Sequence, residues 1–293
     1  MNVAANRLSL IVGADGQIGQ ALSQHLAGEG QSVIETTRRL DAVSESRIWL
    51  DLADDPASWQ LPDGVSVAYL CAAVSSLDEC RQHPEVSARV NVHHTVTLAQ
   101  MLVDRGAFVV FLSTDRVYDG SIPFRRAEDK VCPQTEYGRQ KAEAELQLLP
   151  LGARVAIVRF TKVLGENVQL FYRWINALKN GETIYPFSDM VMAPVPLAFA
   201  ARVLHYVVER QLSGIVQVSG SEDVSYARIA GFIAVALGIG SVLVQPSRAE
   251  AAKLSLEHIP LYTTLDTTRL REELGLEPPQ TWVTLSSILS FNF

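Results

Sequence analysis

The sequence predicts an α/β fold, a doubly wound parallel sheet with a smaller, interleaved C-terminal lobe. Three observations carry that prediction. Short apolar runs alternate with amphipathic stretches through the first half of the 293-residue chain, as in strands joined by crossover helices. A glycine-rich turn follows the first apolar run. After about residue 165 the alternation loosens into helical stretches with few strands between them. A hydrophobic content of 48% over this length is enough to bury a full core.

In chain order, residues 8–12 read as a buried strand, and 16–28 as a helix with Ile18, Leu22 and Leu26 at four-residue spacing. Residues 32–36, 66–71, 108–113 and 155–160 read as further strands. Residues 87–104 read as a helix with Val90, Leu98 and Leu102 among polar positions. Beyond these come a helix at 170–179, a strand at 183–186, a helix at 197–209, a strand at 214–218 and a helix at 226–236. A last capped helix is expected from Asp266 through Leu270 and Leu274 to Gly275, where the glycine suits a stop. This pattern divides the chain into a sheet domain over 1–165, with 195–220 returning to it, and a lobe over 166–293 that mainly holds substrate.

Composition narrows the function. The start, Met1 to Arg7, lacks the basic and apolar segments of a signal peptide, and no run is long enough to span a bilayer, so a cytoplasmic protein is expected. A net charge of −7 argues against a nucleic-acid partner. Cys71, Cys80 and Cys132 have no paired spacing and read as reduced thiols. The six histidines, His93 and His94 included, are scattered, so no metal site is expected.

Gly13-Ala14-Asp15-Gly16-Gln17-Ile18-Gly19 follows the first strand and opens the first helix. Glycines there permit a tight turn and close backbone approach, and free N–H groups at the helix start can face a pyrophosphate. This is a Rossmann-type dinucleotide site. At the end of the second strand, Thr37 stands where an NAD-preferring site places an acid, and Arg38 and Arg39 follow. Guanidinium groups can take the 2′-phosphate of NADP, so NADP(H) is the expected cofactor, while Glu35 leaves NAD open. Asp51 and Leu52, with Cys71, Ala72 and Ala73 after later strands, sit where adenine and ribose are flanked.

Tyr137 and Lys141 are four residues apart, hence on one helix face if the helix starts just after Pro133. Upstream, Ser113 and Thr114 leave a strand with hydroxyls at its carboxyl end. With these motifs in view, the chain resembles the extended short-chain dehydrogenase/reductase family, and within it the dTDP-4-dehydrorhamnose reductase branch. The resemblance rests on Gly16-Gln17-Ile18-Gly19, on residues 113–120, on residues 128–133 with Tyr137-Gly138 and Lys141, and on residues 265–270. It implies Thr114 as the hydroxyl that orients a carbonyl, Tyr137 as the acid or base, and Lys141 as its partner and ribose clamp. It also implies that Asn91 lies near the cofactor and supports the site. An ammonium and a positive nicotinamide close to Tyr137 are expected to bring a phenol of pKa near ~10 closer to working pH.

The implied activity is reduction of a nucleotide-linked 4-keto-6-deoxysugar by NADPH. The implied substrate side comprises Val74, Thr114, Asp115, Arg116, Tyr137, Lys162 and Asp189, the last in a segment that borders the sugar pocket in the resembling reductases. Arg116 stands where the branch usually has an aromatic residue, and Lys162 where it has tryptophan, so both add positive charge near the pocket. Arg116 also replaces the glutamate that related dehydratases use, which disfavours dehydration. Two alternatives stand beside the reductase: an epimerase, and a non-catalytic subunit resembling the regulatory subunit of methionine adenosyltransferase. A homodimer is compatible with the family.

Overall fold

The computed structural model describes residues 7–249 and 259–289, so His258 lies outside the described residues. At its centre is a seven-stranded sheet: β1 (Leu8–Val12), β2 (Ser32–Thr37), β3 (Arg47–Trp49), β4 (Val65–Leu70), β5 (Phe108–Thr114), β6 (Val155–Phe160) and β7 (Gly214–Val218). The spatial order is β7-β6-β5-β4-β1-β2-β3, and every pairing is parallel. The chain runs outward from β1 to β3 and then returns to β4 on the other side of β1. Strand order therefore reverses between β1 and β4, and open α/β sheets bind ligands in the crevice at the carboxyl ends of such strands.

Seven longer helices accompany the sheet: α1 (Gln17–Gly28), α2 (Thr95–Asp104), α3 (Glu136–Leu148), α4 (Gln169–Lys179), α5 (Leu197–Glu209), α6 (Tyr226–Ala236) and α7 (Thr281–Leu289). Both sheet faces are covered, which is why the central strands read as unbroken apolar runs. Leu10 and Val109 pack with Leu98, Leu102 and Leu148 on one face, while Ile11 and Val110 pack with Leu22, Leu26 and Val203 on the other. Helix α5 lies against α1, and β7 adds an edge strand beside β6, so both elements from the later half belong to the central layers. A separate cluster of Phe171, Trp174, Ile229, Ile233 and Leu285 joins α4, α6 and α7. Phe171 and Trp174 stack on one another there, 5.8 Å between centroids, as core residues.

Four expectations need correction. The helix expected over 87–104 is three pieces, Pro84–Ala88, a π-helical stretch Arg89–His94 and then α2. Residues 183–186 make one isolated bridge, Ile184 pairing with Val244, in place of a strand. The helix expected over 266–275 shortens to Thr268–Glu272, because the Asp266 carboxylate accepts from the Thr268 amide and hydroxyl before the first turn. The last helix is α7, whose Thr, Val and Ser content is a poor helix former and which gains its helix from packing Leu285 and Ile288 into the core.

Candidate active site

One cleft of about 780 Å³ runs along the carboxyl ends of β1, β4 and β5. Gly13 turns the chain at its floor with φ +89°, and a Cβ there would stand 2.7 Å from the Ala72 backbone nitrogen. The glycine thus lets the turn after β1 and the turn after β4 touch, at the point where strand order reverses. Helix α1 begins after Gly16 with no side-chain cap, leaving its first-turn N–H groups available to a phosphate. Gly13, Asp15, Gly16, Gln17, Ile18 and Gly19 line the cleft, as do Thr37, Arg38, Asp51, Leu52, Cys71, Ala72, Ala73 and Val74. Burial pushes the Cys71 thiol up to about 12, which makes it a packing surface and not a nucleophile.

The charged rim beside β2 differs from the sequence expectation. Arg39 does not line the main cleft; it borders an adjoining cavity of about 470 Å³ with Asp15, Glu35 and Arg47. Asp15 accepts from the Thr37 hydroxyl at 2.7 Å, and its Oδ1 accepts from Arg39 at 3.2 Å and Arg47 at 2.6 Å. Burial raises the Asp15 pKa, but the Thr37 hydroxyl, the Arg38 amide and the two guanidiniums together hold it below the ordinary carboxylate value. Arg47 was not foreseen. It pairs in register with Glu35 across β2 and β3, sits 3.3 Å from that carboxylate, and keeps a buried Nε without a hydrogen-bond partner among the described residues. Glu35 is therefore held by Arg47 and by the Ser23 hydroxyl.

Thr114, Asp115 and Arg116 emerge from β5 into the other end of the cleft, facing Tyr137 and Lys141 from the first turns of α3. The Thr114 hydroxyl donates to Asp115 at 2.9 Å and accepts from the Arg116 amide at 3.2 Å. Thr135 caps α3 by accepting from the Gly138 amide at 3.1 Å. Gly138, part of the motif around Tyr137, has a steric reason to be glycine: a Cβ there would lie 2.1 Å from the Arg116 carbonyl oxygen, so the helix start is wedged against the turn after β5. That contact brings the Tyr137 side of the helix to Thr114.

Lys141 is buried, with Nζ 3.8 Å from the Phe111 ring centroid. Burial lowers its pKa to about 7, against the opposing pull of Glu145 and Cys71. Burial likewise drives the Tyr137 phenol well above its ordinary value, with Asp115 and Cys80 adding to the rise. The expected lowering of Tyr137 by Lys141 is thus not a property of the chain alone, since burial dominates at both groups and Asp115 and Cys80 push the phenol further up. Asp115 is also raised by burial, in spite of Arg116 and the Thr114 hydroxyl.

Ser113 lines the cleft, yet its hydroxyl donates to Glu145, inward from the site. Glu145 in turn accepts from Arg159 at 3.0 and 2.6 Å, and Arg159 also donates to the Tyr118 phenol at 2.6 Å. Arg159 and Glu145 are both 2% exposed, and this buried network fixes β5, β6 and α3 relative to one another. Asn91 is behind the wall of the cleft, not on it. Its Oδ1 accepts from the Val74 amide at 2.8 Å, and its Nδ2 donates to the Val74 carbonyl at 2.9 Å and to Gln140 at 2.8 Å. The π-helical turn re-aims Asn91 so that it holds the Val74 loop to α3. Asp189 is not on the cleft either, because its carboxylate accepts from the Ala249 amide at 2.9 Å. Lys162 does line it, with Met192, Tyr226 and Thr263 from the later half of the chain.

Among the described residues no group of three or more His, Cys, Asp or Glu side chains is placed to hold a metal, and no helix is long and apolar enough to cross a membrane.

Residues 7–290 match the family described as RmlD substrate binding domain. The chain is 25% identical over 282 residues to a probable low-salt glycan biosynthesis reductase of Haloferax volcanii, covering 92% of this chain and 93% of that protein. It is 26% identical to a dTDP-4-dehydrorhamnose reductase of Aggregatibacter actinomycetemcomitans, covering 96% of this chain and 98% of the relative. Among solved structures, a dTDP-4-dehydrorhamnose reductase from Clostridium acetobutylicum superposes with a TM-score of 0.81 at 25% identity, over 97% of this chain and 99% of that one.

Proposed function

We propose that this chain, which belongs to the RmlD substrate binding domain family, is an NADPH-dependent reductase of a nucleotide-linked 4-keto-6-deoxysugar. The observation that carries the reading is the joining of two half-sites in one cleft, the glycine turn at the β1–β4 reversal and the Thr114, Tyr137 and Lys141 side chains at the ends of β5 and α3. The close approach of Gly13 to Ala72 and the uncapped start of α1 fit a dinucleotide pyrophosphate. Arg38, Arg39 and Arg47, the last with a buried Nε that lacks a partner among the described residues, fit the 2′-phosphate of NADPH, with Asp15 tethering Arg39 and Arg47, and Glu35 tethering Arg47. NAD(H) remains open as an alternative. When bound, the reduced nicotinamide supplies hydride to the carbonyl carbon.

The chain's own groups then manage the oxygen. Thr114, which lines the cleft with Tyr137, would turn its hydroxyl from Asp115 to orient the carbonyl oxygen, while Tyr137 gives up its phenolic proton to the forming alkoxide. A phenol held well above its ordinary pKa keeps that proton until negative charge develops on the substrate. Lys141, drawn toward its charged form by an anion in the cleft, favours the phenolate that remains.

The test is NADPH oxidation, followed by absorbance, with dTDP-4-keto-6-deoxysugars. Net consumption separates a reductase from an epimerase, and turnover separates both from a binding subunit. Tyr137→Phe is expected to lose turnover by about 10²-fold or more while keeping NADPH affinity. Wild-type turnover by that variant sinks the assignment of Tyr137.

A further inference from the structure

We propose that Arg116, backed by Lys162, forms an anion subsite at the substrate end of the cleft, recognising a carboxylate on the sugar or the diphosphate that carries it. This rests on the functional reading above and deepens it by naming a charge the substrate must present.

Arg116 extends from the turn after β5, and the wedge between its carbonyl and Gly138 fixes the point from which its side chain leaves. Its Nη1 is buried and has no hydrogen-bond partner among the described residues. The contrast with Arg159 is informative: that guanidinium is just as much a part of the β5–β6 region and has a carboxylate, a phenol and a carbonyl as acceptors. A buried donor on a cation that lacks an acceptor is costly, and it is retained where a ligand completes it. The adjacent carboxylate, Asp115, accepts the Thr114 hydroxyl at Oδ1, and it makes no hydrogen bond to Arg116 Nη1.

The surroundings place Arg116 away from the glycine turn. Tyr226, whose phenol feels the Arg116 charge, lines the same end of the cleft together with Thr263 and Met192. Lys162, exposed on the turn after β6, adds a second cation on that side. Thr263 has its own acceptor in Asp223 at 2.6 Å, so its hydroxyl is satisfied while Arg116 Nη1 is not. A planar guanidinium takes a carboxylate or phosphate through two parallel N–H bonds, which a lone neutral hydroxyl of a sugar does not offer.

The test titrates the NADPH-loaded protein by calorimetry with three probes in both the uridine and thymidine series: the nucleoside diphosphate, its glucose conjugate and its glucuronate conjugate. Arg116→Gln is expected to weaken binding by about tenfold or more, with Lys162→Gln giving a smaller loss of the same pattern and Arg116→Lys a partial recovery. A loss confined to the glucuronate conjugate puts the anion on the sugar, and an equal loss for all three probes puts it on the diphosphate. Lys162 is exposed, so its variant reports even where Arg116→Gln also disturbs folding. Wild-type affinity for every probe in both glutamine variants overturns the subsite and leaves the reductase reading intact. Wild-type protein that binds NADPH and none of the probes overturns the reductase reading, and the subsite with it.

Discussion

A single methyl group placed at residue 138 tests how the catalytic helix is set. In Gly138→Ala the new Cβ would meet the Arg116 carbonyl oxygen at 2.1 Å, the Arg116 carbonyl carbon at 2.9 Å and the Thr135 hydroxyl at 3.1 Å. The first two are backbone atoms of the turn that also carries Thr114, so no rotamer change relieves the clash. Ordinary contact begins at 3.4 Å, which requires the first turn of α3 to withdraw by more than about 1 Å. Overpacking of this kind costs about 1–3 kcal/mol of stability. The larger effect is on chemistry, because Tyr137 moves with that turn away from Thr114. A misplacement of about 1 Å at a reacting group costs on the order of 10²-fold in rate. The expected result is therefore a kcat lower by about two orders of magnitude, measured as NADPH oxidation on a keto sugar that the wild type turns over, with NADPH affinity from fluorescence titration changed far less. A variant with kcat within about threefold of wild type and an unchanged melting temperature would refute the wedge.

Three further outcomes follow from the same geometry. Glu145→Gln leaves the Arg159 guanidinium buried without its carboxylate, so urea unfolding should show a loss of about 3–5 kcal/mol, and a loss under about 1 kcal/mol contradicts the network as described. Lys141 has its pKa lowered to about 7, so it is mostly neutral at pH 8. An anionic dinucleotide raises that pKa, and binding at pH 8 should take up as much as about one proton, visible by calorimetry in buffers of different ionisation enthalpy. The uptake should vanish at pH 5.5, where the free protein is already protonated at this position, and in Lys141→Met; uptake that survives in that variant assigns the proton elsewhere. Arg47→Ala should weaken NADPH by about tenfold and leave NADH unchanged, and equal loss for both cofactors would remove Arg47 from the 2′-phosphate site.

What the sequence displays and what it hides divide along a physical line. Strands β1, β4, β5 and β6 are buried on both faces and are written as apolar runs, so the elements that end at the cleft could be read locally, together with the glycine turn and the Tyr137–Lys141 pair they carry. Strand β3 spans only Arg47–Trp49, too short to show a period, and Arg47 matters only because parallel register sets it against Glu35. Glu145 falls in a helix rich in polar residues and resembles a solvated position until β6 brings Arg159 against it. Asn91 and Gly138 are marked in the sequence only by the family resemblance, and what each one does depends on the π-helical turn and on the Arg116 carbonyl, neither of which leaves a local signature. Position in the site is thus a local property, fixed by where strands end, whereas charge and spacing within it arise from pairings between separate elements. The consequence is a separation of effects that mutagenesis can read. If the proposed function holds, substitution at Tyr137 is expected to act mainly on the reaction, whereas substitution at Gly138, Glu145 or Asn91 is expected to move activity and stability together, because those residues hold the proposed catalytic groups through the same contacts that hold the fold.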